Sequence, residues 1–328
     1  MTSSAQKQAS TDRRAANRAR GDRRGYPRVR ARPIFCDRRG KITRRCHGRR
    51  FLLAPDDAGE IANFIGYCLA YVANKYNIEV HASVWMSNHH HTDITDPDGN
   101  LVPFKQLLHS MIARGLNVLR RRNDSFWSGD PACDTRRPSD DESLDDLVYT
   151  LTNPVKAGLV KWSDQWLGFT TVGWKFGETR TFERPAWFFD KGGSMPARVQ
   201  LTLARPRIFN DLDDEKLYKK LEDAIRSRER KIQEQMRQKG RRFMGRSKLA
   251  KQRWNRTPKS HEERFHIKPR VAASNKWLVL AELQRDRDWE RAYAEARALM
   301  LDKKPAVFPA GTYWLRRFVG VAVAGQPP

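Results

Sequence analysis

The chain has 328 residues and carries 63 Lys and Arg against 38 Asp and Glu, a formal net charge of +25. It contains no run of about 18 uncharged apolar residues, which argues against a membrane span. The N-terminus lacks the apolar segment of a secretory signal, so we expect a cytoplasmic protein. The four cysteines form no Cys-x-x-Cys pair, which argues against a disulfide scaffold or a zinc ribbon. So large a basic surplus favours a polyanionic partner, most often nucleic acid.

The charge is distributed unevenly along the chain. Residues 1–50 hold 17 basic and 3 acidic residues, residues 51–170 hold 10 and 16, and residues 171–328 hold 36 and 19. We therefore predict a mildly acidic folded domain, residues 31–170, between two basic extensions. Residues 1–30 have almost no apolar side chains and cannot bury enough surface to offset chain entropy, so we expect a disordered basic tail. Residues 171–328 are predicted to be a basic, mostly helical DNA-binding or accessory region.

The first half of the predicted domain alternates between strand and helix signals. Residues 32–53 mix short apolar pieces, 34–36 and 51–53, with basic residues, and one or two strands are predicted within this range. From 56 to 76 apolar residues recur at spacings of three and four, which predicts an amphipathic helix with an Asp at its start as the cap. Residues 78–86 alternate apolar and polar side chains and predict a strand, and a turn separates them from a second strand over 89–95.

The second half of the domain continues the same pattern. A second amphipathic helix is predicted over 101–122, followed by a loop with a possible strand at 126–127. An acidic segment then begins a third helix, 139–152, which ends before Pro154 because the residue preceding a proline avoids the helical region. The order β-α-β-β-α-(β)-α predicts an α+β fold with an antiparallel-centred sheet covered by helices.

The C-terminal region has weaker signals. Residues 200–209 allow one strand, and charged helices are predicted over 213–239 and 277–300. Between them, residues 241–268 are dense in Lys and Arg with interleaved aromatic residues, a composition that suits backbone neutralisation and base stacking, or a solvated basic surface. Residues 245–250 could begin a helix of a helix-turn-helix.

Three histidines, His89, His90 and His91, stand in a row on the second predicted strand. Side chains alternate on a strand, so His89 and His91 share one face and His90 lies on the other. Two imidazoles at i and i+2 form a good metal clamp, although a polar hairpin edge or a chance cluster also explains the run. Asp93 has the same parity as His89 and His91 and could approach a metal or orient a water.

The third predicted helix carries polar groups opposite its apolar stripe. Tyr149 and Asn153 are neighbours at i and i+4 on the face away from the core. A tyrosine there could pack against another element or lie on the surface. A phenol beside a carboxamide is also what a nucleophile and a metal ligand would require. The apolar stripe itself consists of Leu144, Leu147, Val148 and Leu151.

Two sequence strings together resemble one enzyme family. Trp-Met-Ser-Asn-His-His-His at 85–91 and Leu-Val-Tyr-Thr-Leu-Thr-Asn-Pro-Val-Lys-Ala-Gly-Leu-Val at 147–160 resemble motifs of the HUH-type single-tyrosine transposases, and among these the REP-associated tyrosine transposases. Family members have Met-Pro-Asn-His-x-His on a central strand and roughly Tyr-Ile-x-x-Asn-Pro-Val-x-Ala-Gly-Leu-Val on a helix. The resemblance covers about residues 32–170 and implies a ferredoxin-like HUH endonuclease sheet with covering helices.

The resemblance implies a role for each matching residue. His89 and His91 would be the metal-binding pair, Tyr149 the nucleophile and Asn153 the third ligand. Two imidazoles and an amide oxygen leave coordination sites open for phosphate and water, so the implied cofactor is Mg²⁺ or Mn²⁺ rather than structural Zn²⁺. The implied reaction cleaves and rejoins single-stranded, hairpin-forming DNA through a 5′-phosphotyrosine intermediate. The family has a bulky apolar residue at the position of His90, so the polar strand centre here predicts a less well packed sheet.

Two other interpretations of the sequence remain open. The chain could be a catalytically inactive or domesticated relative that only binds DNA, or a basic RNA-binding protein whose His run is incidental. We expect a prokaryotic, nucleoid-associated protein, either a monomer or a homodimer. The basic flanks supply candidate DNA contacts: Arg49, Arg50, Arg241, Arg242, Lys248 and Trp254.

Overall fold

The computed structural model describes residues 31–139, 142–259 and 269–325. The predicted N-terminal tail, the acidic pair at 140–141 and residues 260–268 of the basic stretch lie outside these residues. The chain divides into two compact units, one formed by Ile34–Leu283 and the other including Gln284–Pro328.

A four-stranded sheet lies at the centre of the larger unit, in the order β2-β3-β1-β4. All neighbouring strands are antiparallel, which confirms the predicted antiparallel α+β sheet. Two helices, α1 and α2, precede β2 and β4, and two more, α3 and α4, follow β4. The bounds are β1 Arg38–Arg45, α1 Glu60–Tyr76, β2 Glu79–Met86, β3 His89–Asp96, α2 Leu101–Leu119, β4 Cys133–Arg136, α3 Ser143–Leu151 and α4 Asn153–Lys156.

Both faces of the sheet are buried. Trp85 of β2 belongs to the main core with α1 and α2, whereas its neighbours Val84 and Met86 pack with Val155 of α4 on the opposite face. The pairing register of β2 with β3 shifts between Val80 and Ala82, and β2 contributes buried side chains to both faces of the sheet. The site described below lies on the α3 and α4 face.

The structure gives the positions of two strands that the sequence placed only loosely. One strand, Arg38–Arg45, lies within the predicted range 32–53, between its two apolar pieces. This basic segment forms a central strand in which Lys41 and Ile42 are buried. The charge of Lys41 is compensated by carboxylates from β3 and α3. The last strand is Cys133–Arg136, while Trp127 makes only an isolated bridge to Cys46.

The polar centre of β3 packs well, contrary to the expectation drawn from His90. The His90 ring is fully buried and stacks on Trp85 with ring centroids 4.1 Å apart. Its Nδ1 contacts Thr92 Oγ1 at 3.1 Å and its Nε2 contacts His109 Nε2 at 3.0 Å. Burial lowers the pKa of His90 to about 3, so the ring is a neutral aromatic group in the core. Stacking on Trp85 and these two contacts therefore accommodate a polar ring in the core.

The remaining elements are mostly helical. A two-stranded antiparallel sheet of β5 (Thr179–Glu183) and β6 (Arg198–Thr202) packs on α1. The long helix α5 (Asp214–Gln238) packs on α3. Residues 171–283 thus share the compact unit of the central sheet, and the functional boundary at 170 stays a prediction. The segment 245–250, which could begin a helix-turn-helix, forms one short helix, α6. Within the described residues no helix is long and apolar enough to cross a membrane. The bounds are β5 Thr179–Glu183, β6 Arg198–Thr202, α5 Asp214–Gln238, α6 Arg246–Ala250, α7 Lys276–Leu301, β7 Val307–Phe308, α8 Trp314–Val319 and β8 Ala322–Val323.

Candidate active site

The two histidines predicted to bind a metal, His89 and His91, lie on the same face of β3. His89 and His91 pair with Met86 and Val84 of β2, and their ring centroids are 5.0 Å apart. The Nδ1 atom of His89 lies 2.7 Å from Asn88 Oδ1. An amide oxygen only accepts hydrogen bonds, so Nδ1 of His89 donates its N–H in this contact.

The second imidazole is held in a similar way. The Nδ1 atom of His91 lies 2.9 Å from the hydroxyl of Thr43 on the neighbouring strand. Burial, and then the positive charges of nearby residues that include Lys41, hold the pKa of His91 well below its ordinary value. The ring is therefore neutral at physiological pH, which is the form that binds a metal.

The predicted nucleophile lies next to this pair. Tyr149 is half-buried on α3, and its ring is edge-on to that of His91 with centroids 6.3 Å apart. Asn153 begins α4, where the helix breaks after Leu151, and its Nδ2 donates to the backbone oxygens of Tyr149 (2.8 Å) and Thr150 (3.2 Å). The amide oxygen of Asn153 consequently points away from the helix backbone. The structure thus brings Tyr149 to His91 and places Asn153 one turn further along the chain.

Three cations surround the Tyr149 side chain. The Nζ atom of Lys156 donates to the Tyr149 hydroxyl at 3.3 Å and lies 4.5 Å from the ring centroid. Lys41 Nζ lies 5.0 Å from the same centroid, and the guanidinium carbon of Arg228 on α5 lies 5.3 Å from it. None of these cations was among the site residues predicted from the sequence. Lys156 lies seven residues after Tyr149, almost two helical turns, and this spacing could have indicated it.

Asp93 contacts α3, the helix that carries Tyr149. Its side chain is buried on the face of the His pair, where one carboxylate oxygen accepts a hydrogen bond from Thr150 Oγ1 and the other lies 3.6 Å from Lys41 Nζ. Burial raises the pKa of Asp93, and Lys41 opposes that effect only in part. The carboxylate that could have approached a metal is instead engaged by Lys41 and α3.

The candidate DNA contacts lie in two regions. Arg241, Arg242 and Lys248 are exposed, and the backbone N–H groups of residues 244 and 245 donate to the carbonyls of residues 158 and 159, at the end of the tyrosine motif. Arg49 and Arg50 are half-buried after β1. Trp254 packs against the main core, and the guanidinium groups of residues 120 and 122 lie 5.8 and 5.7 Å from its ring. Its ring therefore already has cationic and apolar neighbours.

No protein-family model matches the chain, and no curated protein matches it. Two solved transposase structures are similar to it. A REP-associated tyrosine transposase bound to a REP hairpin gives a TM-score of 0.37 at 18% identity, over 43% of this chain and 81% of that one. A proposed transposase from Deinococcus radiodurans gives a TM-score of 0.26 at 16% identity, over 32% of this chain and 82% of that one. Similarity of this degree assigns no function to the chain.

Proposed function

We propose that this chain is a metal-dependent DNA transposase that cleaves and rejoins single-stranded, hairpin-forming DNA with Tyr149 as its nucleophile. One observation carries the proposal: the Tyr149 ring contacts His91, which lies beside His89, and three cations lie within 5.3 Å of the ring centroid. A tyrosine in a merely structural position needs neither neighbour. A tyrosine that attacks a phosphodiester benefits from both, because the scissile phosphate is an anion that gains negative charge in the transition state.

The proposed reaction is a transesterification. The Tyr149 oxygen forms a bond to the scissile phosphorus as the bond from phosphorus to the 3′ oxygen breaks. Tyr149 gives up one proton and the departing 3′ oxygen takes up one, so the reaction has no net uptake of protons and needs no oxidant or reductant. The products are a 5′-phosphotyrosine and a free 3′-OH, and the reverse reaction joins the strand to another 3′-OH. The phosphotyrosine keeps the free energy of the phosphodiester, so rejoining needs no nucleotide cofactor.

The residues present fit a divalent cation. His89 is held through Nδ1 by the Asn88 amide oxygen, and an outer partner of this kind orients a metal-binding histidine. Among the described residues no group of three His, Cys, Asp or Glu could hold a metal, so a third protein ligand beside the His pair would be of another type. We assign that ligand to the Asn153 amide oxygen. Bound Mg²⁺ or Mn²⁺ would neutralise the phosphate and polarise it toward attack.

The rest of the chain fits the same function. The described elements β1 to β4 with α1 and α2 follow the order βαββαβ, and the sheet order β2-β3-β1-β4 suits the ferredoxin-like arrangement of HUH endonucleases. The basic extensions would bind DNA phosphates and set the affinity. We accordingly propose single-stranded or hairpin DNA as the partner and a cytoplasmic, nucleoid-associated location.

The decisive experiment is a covalent adduct assay. Labelled single-stranded hairpin DNA is incubated with the full chain and Mn²⁺, and the protein is separated on a denaturing gel. Wild type and Tyr71→Phe, which keeps the other phenols, should form a labelled adduct that Tyr149→Phe does not form. Tight DNA binding without any adduct would favour the inactive DNA-binding relative, and a preference for RNA over matched DNA would favour an RNA-binding protein.

A further inference from the structure

We propose that helix α5 is part of the active site and that its Arg228 binds the scissile phosphate together with Lys156. This inference rests on the proposed cleavage function. It concerns a part of the chain, residues 214–238, that lies outside the transposase-like motifs. The observation behind it is the 5.3 Å separation between the guanidinium carbon of Arg228 and the Tyr149 ring centroid.

Helix α5 is held firmly against the helix that carries Tyr149. Glu229, next to Arg228, is fully buried and accepts hydrogen bonds from the backbone N–H of Ser163 at 2.6 Å and from Arg226 at 3.0 Å. Arg226 also pairs with Asp164 at 2.8 Å. The two helices share a cluster of buried apolar residues, Leu147, Val148, Leu151, Leu217, Leu221 and Ile225. The position of Arg228 is therefore fixed by packing on α3.

The three cations near Tyr149 differ in how their charge is balanced. Lys41 has two carboxylate neighbours, Asp93 at 3.6 Å and Asp146 at 3.8 Å. Within residues 31–139, 142–259 and 269–325, neither Lys156 nor Arg228 forms an ion pair with a carboxylate. Their positive charges thus remain available to an anionic ligand beside the phenol.

Arg228 also has unused hydrogen-bonding capacity. Its Nε atom is buried and has no hydrogen-bond partner in the described part of the chain. A buried donor without a partner is unfavourable, and a ligand that accepts a hydrogen bond from the guanidinium group offsets this cost. The planar guanidinium fork matches the geometry of a phosphate, which it can bind through two parallel hydrogen bonds. A phosphodiester at the Tyr149 hydroxyl would be such a ligand.

The proposal is tested with one variant and a matched control from the same helix. Arg228→Ala removes the cation beside Tyr149, and Arg230→Ala removes an exposed cation two residues away. At saturating hairpin DNA and Mn²⁺, Arg228→Ala should form the covalent adduct roughly 100-fold more slowly, as after loss of one charge-stabilising donor. Arg230→Ala should stay within about twofold of wild type, and Arg228→Lys should recover part of the rate. Equal rates for the two Ala variants would overturn the assignment and leave the cleavage proposal intact.

A second measurement does not depend on cleavage. Inorganic phosphate is titrated in the presence of a chelator, and thermal unfolding reports its binding. Phosphate should raise the melting temperature of wild type and Arg230→Ala more than that of Arg228→Ala, because ligand binding to the folded state stabilises it. If wild type forms no adduct, the cleavage proposal fails and this titration alone decides the role of Arg228. Identical shifts in all three proteins would then reject it.

Discussion

Replacing Lys41 with Met should destabilise the fold strongly, because it leaves a buried carboxylate without its cation. Lys41 is 5% exposed and Asp93 is 1% exposed, and their charged atoms lie 3.6 Å apart. At an effective dielectric constant near 20, two unit charges at that distance attract each other by about 4–5 kcal/mol. Asp146 keeps Arg39 at 3.0 Å and Arg137 at 3.2 Å, so the loss falls mainly on Asp93. We expect Lys41→Met to lower the free energy of unfolding by about 3–5 kcal/mol.

The partner substitution should behave differently. The pKa of Asp93 is raised even with Lys41 present, which means that burial of the carboxylate costs more than its partners return. Asp93→Asn keeps an acceptor for Thr150 and removes that charge, so its cost should be no more than about 1 kcal/mol. The double variant should consequently be more stable than Lys41→Met alone, with a coupling energy of about 2 kcal/mol between the two sites.

Urea denaturation of the four proteins, followed by far-ultraviolet circular dichroism, measures this cycle. A pH series adds an independent check. A carboxyl group with a raised pKa binds a proton in the folded state before it does so in the unfolded state, so the deficit of Lys41→Met should shrink as the pH falls from 8 to 5. Two small, additive losses with no pH dependence would refute the view that Lys41 neutralises Asp93.

Two further outcomes are expected. His81 is buried and contacts the carbonyl of Ala204 and the hydroxyl of Thr95, and burial lowers its pKa to about 4. The unfolded chain binds this proton first, so stability should be lost as the pH falls below 6.5, by about 2 kcal/mol at pH 5; parallel pH profiles of wild type and His81→Gln in urea denaturation would contradict this. Deletion of residues 1–30, which carry 9 basic and 2 acidic residues, should weaken hairpin binding and flatten its salt dependence. The adduct rate at saturating DNA should not change, and its loss there would refute the assignment of affinity to the tail.

The sequence predicted those elements whose signals are local. The alternation over 78–86 and the helical spacing before and after it need only neighbouring residues, and both appear in the structure. The bounds of β1 within residues 32–53 were not predicted, because six of its eight residues are Arg, Lys or Gly. Its buried Lys41 is tolerated only through carboxylates more than 50 residues away, a compensation that no local pattern reveals.

The candidate site divides in the same way. The His pair and Tyr149 were found because each is part of a short string with its own periodicity, and the structure brings His91 and Tyr149 together. Arg228 lies 79 residues beyond Tyr149 in a helix dense with charged residues, where one Arg resembles another. Only the packing of α5 on α3 distinguishes it from Arg230. The engagement of Asp93 by Lys41 and Thr150 likewise depends on tertiary contacts.

The edge-on contact between Tyr149 and His91 occurs within a single polypeptide. On the proposed function, each molecule therefore holds one complete set of reacting groups and one attachment point for a DNA end. Excision of a segment requires two cuts, so it would need two molecules acting together or one molecule acting twice. The copy number of the protein at a DNA site would then decide whether both ends are held at once.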